Sequence, residues 1–312
     1  METKKNRGVL KAELKYFKKN GELTLLALPA VALLFIFHYI PLYGLVLPFK
    51  DYKYNLGFFK SEWIGLENFE FLFRGSGIAA ATRNTILYNL AFIVLGTIAA
   101  LAVALTLYEL SRKMVKLYQT VLMLPYFVSW VVVGYAFSAF LDMEYGVFNH
   151  ILNLFGKDSV MWYNDPSKWP VLLVLINIWK GVGYGGLIYY ASLMGIDHTY
   201  YEAATLDGAG KLKQLWYISI PMIRQMIIIQ LILSIGKIFN GDFGLFYNVT
   251  MNSTLLYPTT DVIDTFVYRS LINLGDIGMS AAATFYQSVV GFILVIATNC
   301  IVRKIDSESA LF

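Results

Sequence analysis

Glu202, Ala203 and Ala204 are followed by Gly208 and then by Ile218-Ser219-Ile220-Pro221. A carboxylate beside good helix formers, a glycine stop and a proline exit build a short rigid helix, Tyr200 to Leu206, rather than an acid–base pair. A second short helix, Lys211 to Tyr217, leads to Pro221 in the first turn of the following span. The chemistry of this knob is mechanical: it suits passing a push from a soluble partner to the helices attached to it. Asn177, Lys180 and Tyr184 form a second set, at i, i+3 and i+7 on one side of a helix. An amide, an ammonium and a phenol there offer donors and acceptors to sugar hydroxyls or to a carboxylated sugar. Tyr126 and Trp130 near Pro125, and Lys237 with Asn240 and Asp242, join them as candidates for a solute pathway. Plainer roles stay open for each: a lysine paired with a neighbouring carboxylate, aromatics in an interfacial belt, a snorkelling Lys237.

Catalytic constellations are missing. There is no GxxxxGK[ST], so the chain has no P-loop to cradle nucleotide phosphates, and ATP-driven work must fall to another subunit. Neither Gly-x-Ser-x-Gly nor His-Glu-x-x-His occurs. Cys300 is alone, and His38, His150 and His198 lie far apart, which argues against disulfides, a metal site or a bound cofactor. Gly181-Val182-Gly183-Tyr184-Gly185-Gly186 fits a dinucleotide pattern, but it interrupts an apolar run, where small residues serve close helix packing. The acceptor tripeptides at Asn248 and Asn252 carry no weight.

The elements that must hold these residues are membrane spans. With 57% hydrophobic residues, 15% charged residues and a mean hydropathy of +0.57, the chain is too apolar to clothe a soluble globule. A span needs roughly 20 apolar residues to cross about 30 Å of hydrocarbon. Leu25 to Leu47, Ile86 to Leu107, Leu117 to Leu141 and Ile277 to Val302 contain no Asp, Glu, Lys or Arg. Pro170 to Ile196 has only Lys180, and a run from Pro221 to Phe239 holds Arg224 and Lys237 near its ends, which makes six spans. The predicted organisation is an amphipathic tail, 1–24, a six-helix domain, 25–302, with the Glu202 loop at 195–221, and a short tail, 303–312.

Basic residues orient the spans. Lys4, Lys5, Arg7, Lys11, Lys15, Lys18 and Lys19 precede the first one, and six spans then place Arg112, Lys113, Lys116, Lys211, Lys213, Arg303 and Lys304 on the same side, fourteen in all. The other side holds eight: Lys50, Lys53, Lys60, Arg74, Arg83, Lys157, Lys168 and Arg269. Both termini are therefore expected in the cytoplasm. The first run is too long for a cleaved leader and no small-x-small site follows it. The tail, with Leu10, Leu14, Tyr16 and Phe17 among its lysines, reads as a helix on anionic lipid, not as a nucleic-acid patch.

The spacing Glu202-Ala203-Ala204, three residues, Gly208, nine residues, Ile218-Ser219-Ile220-Pro221 resembles the cytoplasmic loop of permease subunits in binding-protein-dependent ABC importers, departing only in Ile220 where that pattern has leucine. Trp63-Ile64-Gly65-Leu66-Glu67-Asn68-Phe69, Asn84-Thr85, Asp264-Thr265, Tyr268-Arg269 and Gly278 with Ser280-Ala281-Ala282-Ala283 are similar to segments of the carbohydrate branch. Gly241-Asp242-Phe243-Gly244-Leu245-Phe246-Tyr247-Asn248 and the Leu311-Phe312 ending resemble its LplB-type oligosaccharide and polysaccharide permeases.

The resemblance implies an all-α, MalF-like type I importer fold in a bacterial plasma membrane. It implies a second permease subunit as heterodimer partner, two ATPase subunits that use ATP and Mg, an extracytoplasmic solute-binding protein and a carbohydrate substrate. Glu202, Ala203, Ala204, Asp207, Gly208 and Pro221 would then serve coupling to the ATPases, and the spans would alternate between inward and outward access. A non-sugar solute such as a peptide or amino acid, and an ion-coupled carrier, remain the alternatives.

Overall fold

A computed structural model describes residues 21–70, 76–305 and 310. The lysine-rich stretch before Gly21, Arg74 and the closing Leu311-Phe312 lie outside the described residues. The fold is helical apart from one two-stranded hairpin, β1 (Lys50–Asp51) antiparallel to β2 (Glu62–Trp63). Four helices are long and apolar enough to cross a bilayer: Gly21–Phe49, Gly77–Glu109, Pro166–Leu193 and Ile277–Lys304. Two bent pairs, Arg112–Phe127 with Trp130–Phe140 at 94° and Lys211–Met222 with Arg224–Ile235 at 60°, bring the described residues to six spans.

The two bends depart from the straight crossings read in the sequence, and each has a local cause. In span 3, Val128 and Ser129 are extended, and the Ser129 hydroxyl accepts from the Val132 N–H at 3.3 Å to start a new helix. In span 5, the helix begins at Lys211 and runs through a π-turn, Leu215–Ser219, instead of stopping as a separate short helix near Tyr217. Pro221 then removes a donor, and the chain bends at Ile223 before Arg224.

Spans 2 and 4 form the centre of the bundle. A Cβ built on Gly185 would stand 3.1 Å from the Ala100 Cβ, and one on Gly186 would stand 2.7 Å from Val103 Cγ1. A Cβ on Gly183 would overlap the Leu122 carbonyl of span 3. The glycine run is a packing surface on which three helices approach closely, as small residues permit in lipid. Span 1 is peripheral, with no buried residue between Gly21 and Leu34.

At the end of the bundle away from Glu202, side chains of span 2 bind the connection that leads to span 6. Asn84 Nδ2 donates to the Asp261 carbonyl at 3.0 Å, Thr85 Oγ1 accepts from the Ile263 N–H at 2.9 Å, and the Tyr88 hydroxyl donates to the Thr259 carbonyl at 2.8 Å. Arg269 pairs with the Asp261 carboxylate and lies over the Tyr257 ring, 3.9 Å from its centre. Asn68 donates to the Pro48 and Lys50 carbonyls at 3.0 and 2.9 Å and abuts Gly278, which fastens the hairpin to span 6. The segments that resemble sugar permeases are thus the joints of this face.

Candidate functional site

The Glu202 knob is a closed, self-capped unit. Its helix, Thr199–Leu206, opens with the Asp197 carboxylate accepting from the Thr199 N–H at 2.9 Å. That hydrogen bond holds the Asp197 pKa below the ordinary carboxylate value. At the other end, Gly208 has φ +77°, the Ala209 N–H reaches the Ala204 carbonyl at 2.8 Å, and the Gly208 N–H reaches Thr205 at 3.0 Å. This is a Schellman cap, which needs a left-handed residue at position 208 and so favours glycine there. Gly210 is extended, with φ −70°, and has no such requirement.

The second arm is tied to the first by Gln214. This buried amide donates to Thr205 Oγ1 at 2.8 Å and to the Ala209 carbonyl at 3.1 Å. Tyr201 and Ser219 hydroxyls meet at 3.0 Å, and Lys211 pairs with Glu109 at the end of span 2 at 2.7 Å. The knob is therefore fastened both to the start of span 5, where Pro221 sits, and to span 2. Glu202 is exposed and lines a 600 Å³ recess with Tyr108, His198 and Leu206. Leu206, Leu212 and Tyr217 are 90%, 75% and 80% exposed, so apolar side chains stand out around a carboxylate. Ala203, Ala204 and Asp207 lie within the same helix and its cap.

Five of the eight pathway candidates meet at the break in span 3. The Lys180 ammonium donates to the carbonyls of Pro125, Tyr126 and Val128 at 3.1, 2.9 and 2.6 Å. These carbonyls lie at the C-terminal end of a helix that stops at Phe127, where Pro125 also accepts from the Val128 N–H at 3.2 Å, and a cation there suits the negative end of the helix dipole. The same ammonium lies 5.0 Å from the Trp130 ring centre and 5.8 Å from that of Tyr126. Tyr126 stacks on Tyr184 with centroids 4.8 Å apart and planes 9° from parallel. The Trp130 indole donates to Asp242 at 2.8 Å, and a Cβ on Gly244 would overlap that indole. The Lys180 ammonium is thus held by backbone carbonyls at the break.

Asn177, Tyr184 and Lys237 line a cavity of 350 Å³ between spans 2, 4 and 5. Asn89, Thr97, Gln230 and Ser234 line it with them, none of which stands out in the sequence. Gln230 and Ser234 fall in an apolar run, and only the packing of spans 2 and 4 against span 5 reveals that they share a surface. Asn240 lies beside this wall, its carbonyl accepting from Asn89 at 3.0 Å. Asp264, expected only as part of a family-like segment, accepts from the Gly241 N–H at 2.5 Å and from Gln287 at 3.0 Å. Burial raises its pKa above the ordinary carboxylate value.

A bundle with two broken spans, a polar cavity among three helices and a braced knob at one end is the architecture of a membrane permease. The chain belongs to the family of binding-protein-dependent transport system inner membrane components, which it matches over residues 93–307. It is the multi-pass permease component of an ABC transporter, not its ATPase. It is 35% identical to Protein LplB of Bacillus subtilis (strain 168) over 292 residues, 93% of this chain and 91% of that one. It is 31% identical to the polygalacturonan/rhamnogalacturonan transport system permease protein YteP of the same organism, over 92% of this chain and 89% of that one. A solved bacterial ABC transporter involved in import of the acidic polysaccharide alginate superposes with a TM-score of 0.86 at 29% identity, over 95% of this chain and 99% of that one. The alginate transporter in complex with an alginate pentasaccharide-bound periplasmic protein gives 0.84, again at 29% identity, over 93% and 97%.

Proposed function

We propose that this chain forms half of the translocation pathway of a carbohydrate importer. It pairs with a second, similar permease subunit, stands on two ATPase subunits that use ATP and Mg, and receives an oligosaccharide or polysaccharide fragment from an extracytoplasmic binding protein. Both termini and the Glu202 loop face the cytoplasm, in agreement with the excess of basic residues on that side. The six-span domain, 25–302, does the transport work between its two tails. Carbohydrate is favoured by the amide, hydroxyl and aromatic lining of the cavity and by what the relatives carry.

The observation that carries the coupling role is the self-capped knob, braced by Gln214 to the start of span 5 and by Lys211 to span 2, with Leu206 standing 90% exposed beside Glu202. An exposed apolar tip on a rigid base suits docking in a cleft of an ATPase subunit. Closure of the ATPases moves the knob, and spans 2 and 5 rock with it, which exchanges inward for outward access. In the importer reconstituted with its binding protein, Glu202→Ala or Gly208→Asp should leave the chain inserted while ATP hydrolysis no longer drives uptake. Unchanged uptake in both variants rejects the coupling role. Thermal-shift screening of the cognate binding protein against oligosaccharides tests the substrate class.

A further inference from the structure

The cavity between spans 2, 4 and 5 is electrostatically one-sided. Its polar lining includes Asn89, Asn177, Tyr184, Gln230, Ser234 and Lys237, and no carboxylate is among its lining residues. Gln230 and Ser234 lie at i and i+4 on one face of the end of span 5, and Lys237 follows in the turn just beyond its last helical residue, Ile235. Chain direction places Lys237 and Asn177 toward the end opposite the knob and Gln230 deeper, so the cation stands toward the mouth and the amide further in.

Neighbouring charges are already engaged. Lys180 is held by three backbone carbonyls, and Asp242 accepts from the Trp130 indole at 2.8 Å and from the Leu245 N–H at 3.2 Å. Among the described residues the Lys237 ammonium has no carboxylate partner. Asn89 gives its amide hydrogens to the carbonyls of Thr85, Ile238 and Asn240, which leaves its own oxygen as an acceptor. The site therefore offers an acceptor and amides for hydroxyls, an aromatic face and one uncompensated positive charge. A cation at the edge of hydrocarbon is tolerated where it meets water or a counter-charge.

We propose that this cavity receives an oligosaccharide bearing carboxylates, that is, uronate residues, and that Lys237 is the specificity residue that meets the carboxylate. The proposal rests on the carbohydrate reading above and narrows it. At 350 Å³ the space lies within the range of small-ligand sites, so it takes a short stretch of a chain at a time. Neutral sugars would satisfy the amides and leave the ammonium without a counter-charge. Acidic ones satisfy both.

The test uses the whole importer in liposomes with its binding protein. Uptake is measured for mannuronate, guluronate and galacturonate oligosaccharides, each as free acid and as methyl ester, with neutral gluco- and xylo-oligosaccharides beside them. The parent should prefer at least one free acid over its ester. Lys237→Gln should lower that acid-to-ester ratio about tenfold or more, the size expected for one hydrogen bond to a charged group, and Lys237→Arg should retain most of it. A parent that takes neutral oligosaccharides but none of the acids overturns the proposal and leaves the carbohydrate reading standing. So does a Lys237→Gln variant with an unchanged ratio, the result expected of a lysine that only snorkels to solvent. Uptake of no carbohydrate in any form overturns both.

Discussion

Replacing Lys180 by methionine keeps the length and apolar stem of the side chain and removes its ammonium. Three carbonyls, at 2.6, 2.9 and 3.1 Å, then lose the ammonium, and Pro125 alone keeps a second donor, the Val128 N–H at 3.2 Å. A hydrogen bond to a charged group contributes about 1.5–3 kcal/mol, so a fully buried trio would cost several times that. Lys180 is only half-buried, and water can reach some of these carbonyls, so the expected loss is about one such bond, near 2 kcal/mol. At roughly 2 °C per kcal/mol for a large domain, the Tm of the assembled importer should fall by about 4 °C. Trp130 stacks beside the ammonium, so its fluorescence should change first and report the break loosening. Arginine should recover only part of the loss, because a planar fork cannot converge on three carbonyls as a tetrahedral ammonium does. The result that refutes this account is a Lys180→Met importer with unchanged Tm and a raised KM for solute, which would make Lys180 a solute contact and not the brace of a broken helix.

Two further outcomes follow from the same hydrogen-bond networks. Gln214→Ala removes the two bonds this amide makes, to Thr205 and Ala209, and leaves the Tyr201–Ser219 contact, at a cost of about 1–2 kcal/mol; amide exchange over residues 204–209 should quicken while the spans keep their protection, and equal exchange in both proteins would remove Gln214 from the coupling unit. For Asp264 the folded-state pKa is raised by burial, so the native state holds its proton at pH values where the unfolded chain has lost it, and the stability contributed by this group falls as pH rises through that window. Asp264→Asn can still accept from Gly241 and should flatten the pH dependence of Tm just above the ordinary carboxylate range; an unaltered profile would place the titration elsewhere.

What can be read from the chain alone follows the range of the interactions involved. The knob is legible because its cap is local: the Ala209 N–H reaches back only to Ala204, and the conformation that requires glycine is written at position 208 itself. Spans 1, 2 and 6 are legible because hydrocarbon selects a long uncharged run whatever surrounds it. The break in span 3 is half legible. Pro125 and Ser129 announce a possible stop, but a helix end inside a membrane is tolerable only if its carbonyls find donors, and the donor comes from residue 180, 55 positions from Pro125. A lone lysine in an apolar run and a proline in another thus explain each other only once the helices pack. The cavity is least legible, because Asn89 of span 2 and Gln230 and Ser234 of span 5 come to line one space through tertiary packing that the glycines of span 4 make possible. The charged residue most conspicuous in the sequence, Lys180, thus has its ammonium on the backbone at the break in span 3, while the one that reads as a snorkelling lysine at a span end, Lys237, lines the cavity and is the residue we propose meets a carboxylate there.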